Sequence, residues 1–171
     1  MAHKEQIKFC QSIKNQYPEH FTGKTVLDAG SLDINGNNRY LFKNCQYTGV
    51  DLGQGKNVDV VCPIHFYNPG FQYDFIISTE MLEHDKNYHL SLMKMIDLVK
   101  PGGALLITCA TGCREEHGTI SNCPNTSPFT NNYYRNVPED DIRFYLPENK
   151  FSKYHLYTTL IDLYFFGIKS T

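Results

Sequence analysis

One stretch constrains this chain more than any other: Thr25-Val26-Leu27-Asp28-Ala29-Gly30-Ser31. Thr25 to Leu27 reads as an apolar strand. The Asp-x-Gly at its end turns the backbone where a ligand can come close, since glycine has no Cβ to hold it off. Tyr47-Thr48-Gly49-Val50-Asp51 follows, with its acid 21 residues past Gly30. An acid at the tip of a second strand, about 20 residues beyond a glycine turn, suits the two hydroxyls of a ribose. Order and spacing together point to a nucleoside-containing cofactor.

The turn itself narrows the choice. A dinucleotide site presents Gly-x-Gly-x-x-Gly to a pyrophosphate. Here the segment is Gly30-Ser31-Leu32-Asp33-Ile34-Asn35-Gly36, with Leu32 in place of the second glycine. Asp33 would repel a pyrophosphate. Asp28 and Asp33 suit a ligand with cationic groups, and S-adenosylmethionine carries a sulfonium and an ammonium but no phosphate.

The rest of the chain sets the scaffold. Further apolar runs, at Val58 to Val61, Tyr73 to Ser78, Ala104 to Cys109, Lys153 to Thr158 and Leu163 to Ile168, bring the expected strands to seven. Several are apolar on successive residues, which suits strands covered on both faces. Helical spacing appears at Ile7, Cys10, Ile13 and Tyr17. It recurs at Tyr88, Leu92, Met95, Ile96 and Val99, ending at Pro101-Gly102-Gly103. A short helix is expected over 37–42. A third begins at Pro138, with Glu139, Asp140 and Asp141 at its positive end and Ile142, Tyr145 and Leu146 inward. Strands alternating with helices predict an α/β fold with a largely parallel sheet. Only a few residues join the last two strands, too few for a parallel crossover, so they form an antiparallel hairpin.

Residues 111–137 break the alternation. They are rich in Asn, Pro, Thr, Ser and Gly yet contain Phe129, Tyr133, Tyr134 and Arg135, a composition that predicts an ordered cap over the sheet's carboxyl edge.

The chain resembles the class I S-adenosylmethionine-dependent methyltransferases, specifically the small type 11-like methyltransferase domains. The resemblance rests on Val26-Leu27-Asp28-Ala29-Gly30, Val50-Asp51, Tyr73-Asp74-Phe75-Ile76-Ile77-Ser78, Glu80-Met81-Leu82-Glu83-His84 and Lys100-Pro101-Gly102-Gly103. It implies a Rossmann-like sandwich, a seven-stranded and mostly parallel sheet with an antiparallel last strand, formed by residues 1–171 as a single domain. It implies S-adenosylmethionine as cofactor. Asp28 and Gly30 would frame the methionine moiety, Ser31 beside them would also bind the cofactor, and Asp51 would bind the ribose with Leu52 against the adenine. The turn at Cys62 would hold the adenine edge by backbone groups. Ser78, Thr79 and Glu80 would floor the site near the transferable methyl. Pro63 or Ile64 stands where many relatives have an adenine-binding acid, and 52–57 leaves room for a loop but no helix between strands two and three.

Two acid–base candidates follow, Glu80 and His84, which share a face if their segment is helical. In the cap, His117, Asn131, Tyr133, Tyr134 and Arg135 are candidates to bind the methyl acceptor. The alternative is that the tyrosines pack down and Arg135 pairs with Glu139 or Asp140. Cys109, Cys113, His117 and Cys123 lack the usual zinc spacing, so no metal site is expected.

Hydrophobic residues make up 41% and charged residues 20%, which argues against disorder. The net charge of -2 gives no broad attraction to nucleic acid. The N-terminus lacks a signal peptide's apolar run, and no stretch is long enough to span a bilayer. The expectation is a cytoplasmic enzyme, without nucleic-acid or membrane partners, moving a methyl group to an oxygen or nitrogen of a small polar acceptor such as a sugar or other metabolite. The alternative is an S-adenosylmethionine-binding module or partner subunit without catalysis.

Overall fold

The computed structural model describes residues 3–171; Met1 and Ala2, the first two residues of the expected domain, lie outside the described residues. Seven strands form one sheet: β1 (Thr25–Ala29), β2 (Gln46–Asp51), β3 (Val60–Val61), β4 (Tyr73–Thr79), β5 (Val99–Ala110), β6 (Phe151–Thr158) and β7 (Asp162–Lys169). Their order is β3-β2-β1-β4-β5-β7-β6. β7 runs antiparallel to both β5 and β6, and the other pairings are parallel. The expected hairpin is therefore present, and its second strand inserts between β5 and β6.

Alternation along each strand divides the core into two layers. Val26, Phe75, Ile77, Leu106 and Phe166 point to one face, where helix α1 (Lys4–Gln16) packs with Phe9, Cys10 and Ile13. Leu27, Ile76, Leu105, Ile107 and Phe165 point to the other, beneath α2 (Tyr88–Leu98) and α3 (Glu139–Tyr145). This explains the continuous apolar runs, since both faces are dry. Asp74 ties three strands at their amino ends. Its carboxylate accepts from the Thr25 N–H (2.8 Å), the Thr25 hydroxyl (2.7 Å) and Lys100 Nζ (2.7 Å).

Several boundaries differ from the sequence reading. The buried stripe of α1 is Gln6, Phe9, Cys10 and Ile13, while Ile7 is exposed. Tyr17 follows the helix and stacks on Phe166 at 4.8 Å. Helix α2 ends at Leu98, and Val99 already belongs to β5. Pro101 bars its neighbour Lys100 from the helical region, so the helix could not have run past Val99. The helix expected over 37–42 is a single 3-10 turn, Arg39–Leu41, and β3 is shorter than its apolar run. As expected, a loop joins β2 to β3.

The cap starts and ends at one place. Val137 N–H donates to the Ala110 carbonyl (2.9 Å), and the Thr111 hydroxyl donates to the Val137 carbonyl (2.6 Å). A 27-residue excursion closed by its own ends can be ordered without regular secondary structure.

Candidate functional site

The ends of β1, β2, β3 and β4 open into a cavity of about 400 Å³. Ligands of open α/β sheets sit at this position, outside the carboxyl ends of the strands where strand order reverses. Here the reversal lies between β1 and β4.

At the end of β1, Asp28 is buried, and its Oδ2 accepts from the Tyr47 hydroxyl (2.6 Å) and Asn57 Nδ2 (3.4 Å). Burial pushes its carboxyl up to about 6, against the pull of the Tyr47 bond. Gly30 then takes φ +86°, and a Cβ there would meet the Met81 side chain at 2.4 Å. The glycine is thus required twice, by conformation and by space. Ser31 is buried with its hydroxyl unpartnered. At the tip of β2, Asp51 accepts from Leu32 N–H (3.0 Å) and Leu52 N–H (2.7 Å). These bonds fix the carboxylate at the cavity wall, although burial still leaves it above its ordinary pKa. Thr79, at the end of β4, accepts from Asn38 Nδ2 (3.0 Å), and Asn38 accepts in turn from Gln6 of α1 (3.2 Å). The N-terminal helix therefore steadies the floor of the cavity.

Asp28, Gly30, Ser31, Asp51, Leu52, Cys62, Thr79, Glu80 and His84 all line this cavity. Ser78 does not. Strand alternation turns it into the sheet, where its hydroxyl donates to the Ala29 carbonyl (2.8 Å), so the expected contact at Ser78 is corrected. The Cys62 side chain reaches the wall, while its N–H is used by the Asp51 carbonyl (2.9 Å).

The segment after β4 is not one helix. Glu80 takes φ +54°, and a 3-10 turn, Leu82–His84, follows. Glu80 and His84 therefore do not share a helical face. Oε1 of Glu80 accepts from the Thr108 hydroxyl (2.8 Å), and Oε2 lies 3.5 Å from His3 Nε2 and 3.8 Å from Arg114. Burial opposes ionisation of Glu80, but His3 and Thr108 outweigh it and hold the carboxyl below its ordinary range. Arg114 also pairs with Asp162 of β7, so this cluster fastens the cap to two strands.

The cap divides into two parts. Thr126 to Asn131 roof the cavity, with the Phe129 ring lying on Gly53; a Cβ on Gly53 would come 2.1 Å from that ring. Asn131 is the one expected acceptor residue that lines the cavity. His117 and Tyr134 pack edge-on around His84 instead, with ring centroids 5.1 Å (His84–His117) and 4.8 Å (His117–Tyr134) apart. Tyr133 offers its carbonyl to His84 Nδ1 (3.4 Å), and Arg135 donates its N–H to the Glu83 carbonyl (2.8 Å). Glu139 pairs with Arg143, and among the described residues no ion pair joins Arg135 to Glu139 or Asp140.

Burial pulls His84 down to about 4, with His117 adding to the effect, and burial lowers His117 as well. Glu83 is pushed up to about 8 by burial and by the neighbouring Glu80. Sequence reasoning did not single out Glu83, Asn38 or Met81. Glu83 had a signal, since Glu-His adjacency next to a site offers two polar groups. Asn38 and Met81 had none, because their roles exist only once strands and turns meet.

Acids dominate the cavity wall: Asp28, Asp51, Glu80 and Asp85 line it against Lys86 alone among lysines and arginines. Such a wall repels a diphosphate and attracts a cation. An antiparallel β7 in an otherwise parallel, doubly wound sheet, with a cavity at its switch point, is the class I methyltransferase fold. The family comparison agrees. Residues 1–152 match the methyltransferase domain family, and the chain belongs to it.

The (S)-coclaurine N-methyltransferase of Papaver somniferum is 35% identical over 104 residues, which cover 50% of this chain and 29% of that protein. Less than a third of that relative's length thus has a counterpart here. Among solved structures, the 1,6-didemethyltoxoflavin-N1-methyltransferase of Burkholderia thailandensis superposes with a TM-score of 0.65 at 16% identity, covering 97% of this chain and 78% of that one. The phosphoethanolamine N-methyltransferase 2 of Haemonchus contortus gives 0.66 at 18%, covering 95% and 52%. At such identities the likeness is one of fold. Among the described residues no helix is long and apolar enough to cross a membrane.

Proposed function

We propose that this chain binds S-adenosylmethionine and transfers its methyl group to an oxygen or nitrogen of a small polar acceptor, such as a sugar or other metabolite. The observation that carries the reading is Asp51, whose carboxylate two backbone N–H groups fix at the cavity wall, at the tip of the second strand. A carboxylate so fixed can still accept two ribose hydroxyls, since each oxygen has a second lone pair. The unpartnered Ser31 hydroxyl and the close Gly30 turn suit the methionine end, and the Asp28 carboxylate beside them suits an ammonium or sulfonium. Leu52, Cys62 and Ile64 offer apolar surface for the adenine.

When bound, the cofactor supplies a methyl group on an electron-poor sulfur. The protein's part is alignment: a floor at Thr79, held through Asn38 and Gln6, and a roof where Phe129 lies on Gly53. Of the two acid–base candidates, His84 fits better. It lines the cavity and is neutral at pH 7, so it can accept a proton, whereas Glu80 is held as an ionised partner of His3 and Arg114. The named relatives support the reading. The Burkholderia enzyme's structure holds S-adenosylhomocysteine and 1,6-didemethyltoxoflavin, and the Haemonchus enzyme's holds S-adenosylhomocysteine and phosphomonomethylethanolamine.

Calorimetric titration with S-adenosylmethionine and S-adenosylhomocysteine tests it. Wild type is expected to bind both, and Asp51→Ala to weaken both at least about tenfold, the loss of roughly 1.4 kcal/mol or more of hydrogen bonding. No binding by folded wild type would overturn the cofactor. Binding without turnover on any amine, hydroxyl or phenol tried would favour the non-catalytic module.

A further inference from the structure

Behind the cavity wall, where the turn after β4 meets the cap, Glu83, His84 and His117 come together. Each offers a ligand atom, and these atoms lie within 4.8 Å of one another. All three side chains are buried, at 0%, 7% and 8% exposure. Both carboxylate oxygens of Glu83 and Nε2 of His117 are buried with no hydrogen-bond partner. A buried carboxylate without a donor costs several kcal/mol when ionised, so groups left this way in a native fold call for a missing counterpart.

The orientation of the two rings identifies that counterpart. His117 Nδ1 lies 3.1 Å from the Glu115 carbonyl oxygen, and His84 Nδ1 lies 3.4 Å from that of Tyr133. A carbonyl accepts only, so each ring carries its proton on Nδ1 and its lone pair on Nε2. Metal-binding histidines are held in this way, with one nitrogen donating to a carbonyl and the other free to ligate. Gly118 makes the approach possible: a Cβ there would stand 2.8 Å from His84 Cε1.

We infer that Glu83, His84 and His117 form a binding site for one divalent first-row transition-metal ion. Two imidazoles and one carboxylate suit zinc, manganese, iron or cobalt, whereas calcium and magnesium require more oxygen ligands. Ligands about 2.0–2.2 Å from an ion stand roughly 3–4 Å apart, so closure on an ion needs side-chain movement of about an ångström. The four residues Cys109, Cys113, His117 and Cys123, weighed on spacing alone, contribute only His117. The site shares His84 with the cavity: the free lone pair on its Nε2 serves either the ion or a proton, so with the ion bound His84 is not the proton acceptor, and a ligand in the cavity would lie beside the ion.

The test uses the full, untagged chain, stripped of metal and dialysed against zinc chloride, with bound metal counted by plasma mass spectrometry. Cobalt chloride serves as a second probe through its visible d–d bands. Wild type is expected to hold one ion per chain. Glu83→Gln and His117→Gln are each expected to bind at least tenfold more weakly, and Cys113→Ser/Cys123→Ser to bind as wild type does. Absence of stoichiometric metal in wild type, unchanged affinity in both site variants, or loss of metal in the cysteine variant would each overturn the site. Circular dichroism and thermal melting of the same metal-free samples verify that the variants are folded, and S-adenosylhomocysteine titration is run beside them. The titration separates the two readings, since a metal-binding chain that ignores the nucleoside would sink the proposed function and leave the metal site standing.

Discussion

At Asp28 burial and charge conflict directly. Its carboxyl sits near 6 against an ordinary 3.8, because burial penalises the anion more than the Tyr47 and Asn57 bonds favour it. Besides burial, the groups that act on it are Tyr47, Asp51, Arg39 and Asn57. Since the folded value lies above the unfolded one, Asp28 adds stability below about pH 4 that is lost as pH rises through 6. Binding of a cation runs the other way, because only the anion attracts it. S-adenosylmethionine affinity is therefore expected to rise up to about tenfold between pH 5 and 7.5, as the ionised fraction grows from about a tenth to nearly all. Asp28→Asn should flatten that profile in calorimetry. A wild-type profile unchanged by the substitution would remove Asp28 from the cofactor site.

At the scale of elements, the cap acts through one ring on one glycine. Phe129 lies on Gly53 of the β2–β3 loop, so neither can change without the other. Gly53→Ala is expected to lift the roof and speed S-adenosylhomocysteine release about tenfold in stopped-flow, with a smaller effect on the association rate. An unchanged release rate would mean the roof does not retain the ligand. The base of the cap, by contrast, is fixed through Arg114, Asp162 and Val137, away from that ring. Loosening the roof should therefore leave the thermal midpoint close to wild type.

The whole molecule depends on a sheet dry on both faces. Leu106 lies in β5, fully buried beneath α1, between β4 and β7. Leu106→Ala is expected to cost about 2–5 kcal/mol in urea denaturation, from lost burial and the cavity left behind. A cost under about 1 kcal/mol would mean that the layer beneath α1 repacks freely.

Periodicity and spacing in the sequence determined the architecture: seven strands, the hairpin at the end, the glycine turn and the acid after the second strand. These are legible because each follows from local chemistry, whether apolar runs, a glycine at a positive φ, or a connection too short to cross over. Asp28, Gly30 and Asp51 could be read for the same reason, since strand ends converge in this topology, whereas Thr79 was reached only through the family resemblance. The tertiary structure decided what depends on which way a side chain faces. Ser78 turned into the sheet by strand alternation, Ile7 turned out to water while Gln6 turned in, and Glu80 left the helical face it was expected to share with His84. Glu83 and His117, 34 positions apart, meet only because the cap folds back over the turn after β4. No local pattern encodes that meeting, because contacts between distant segments are set by packing of the whole chain rather than by the residues beside them.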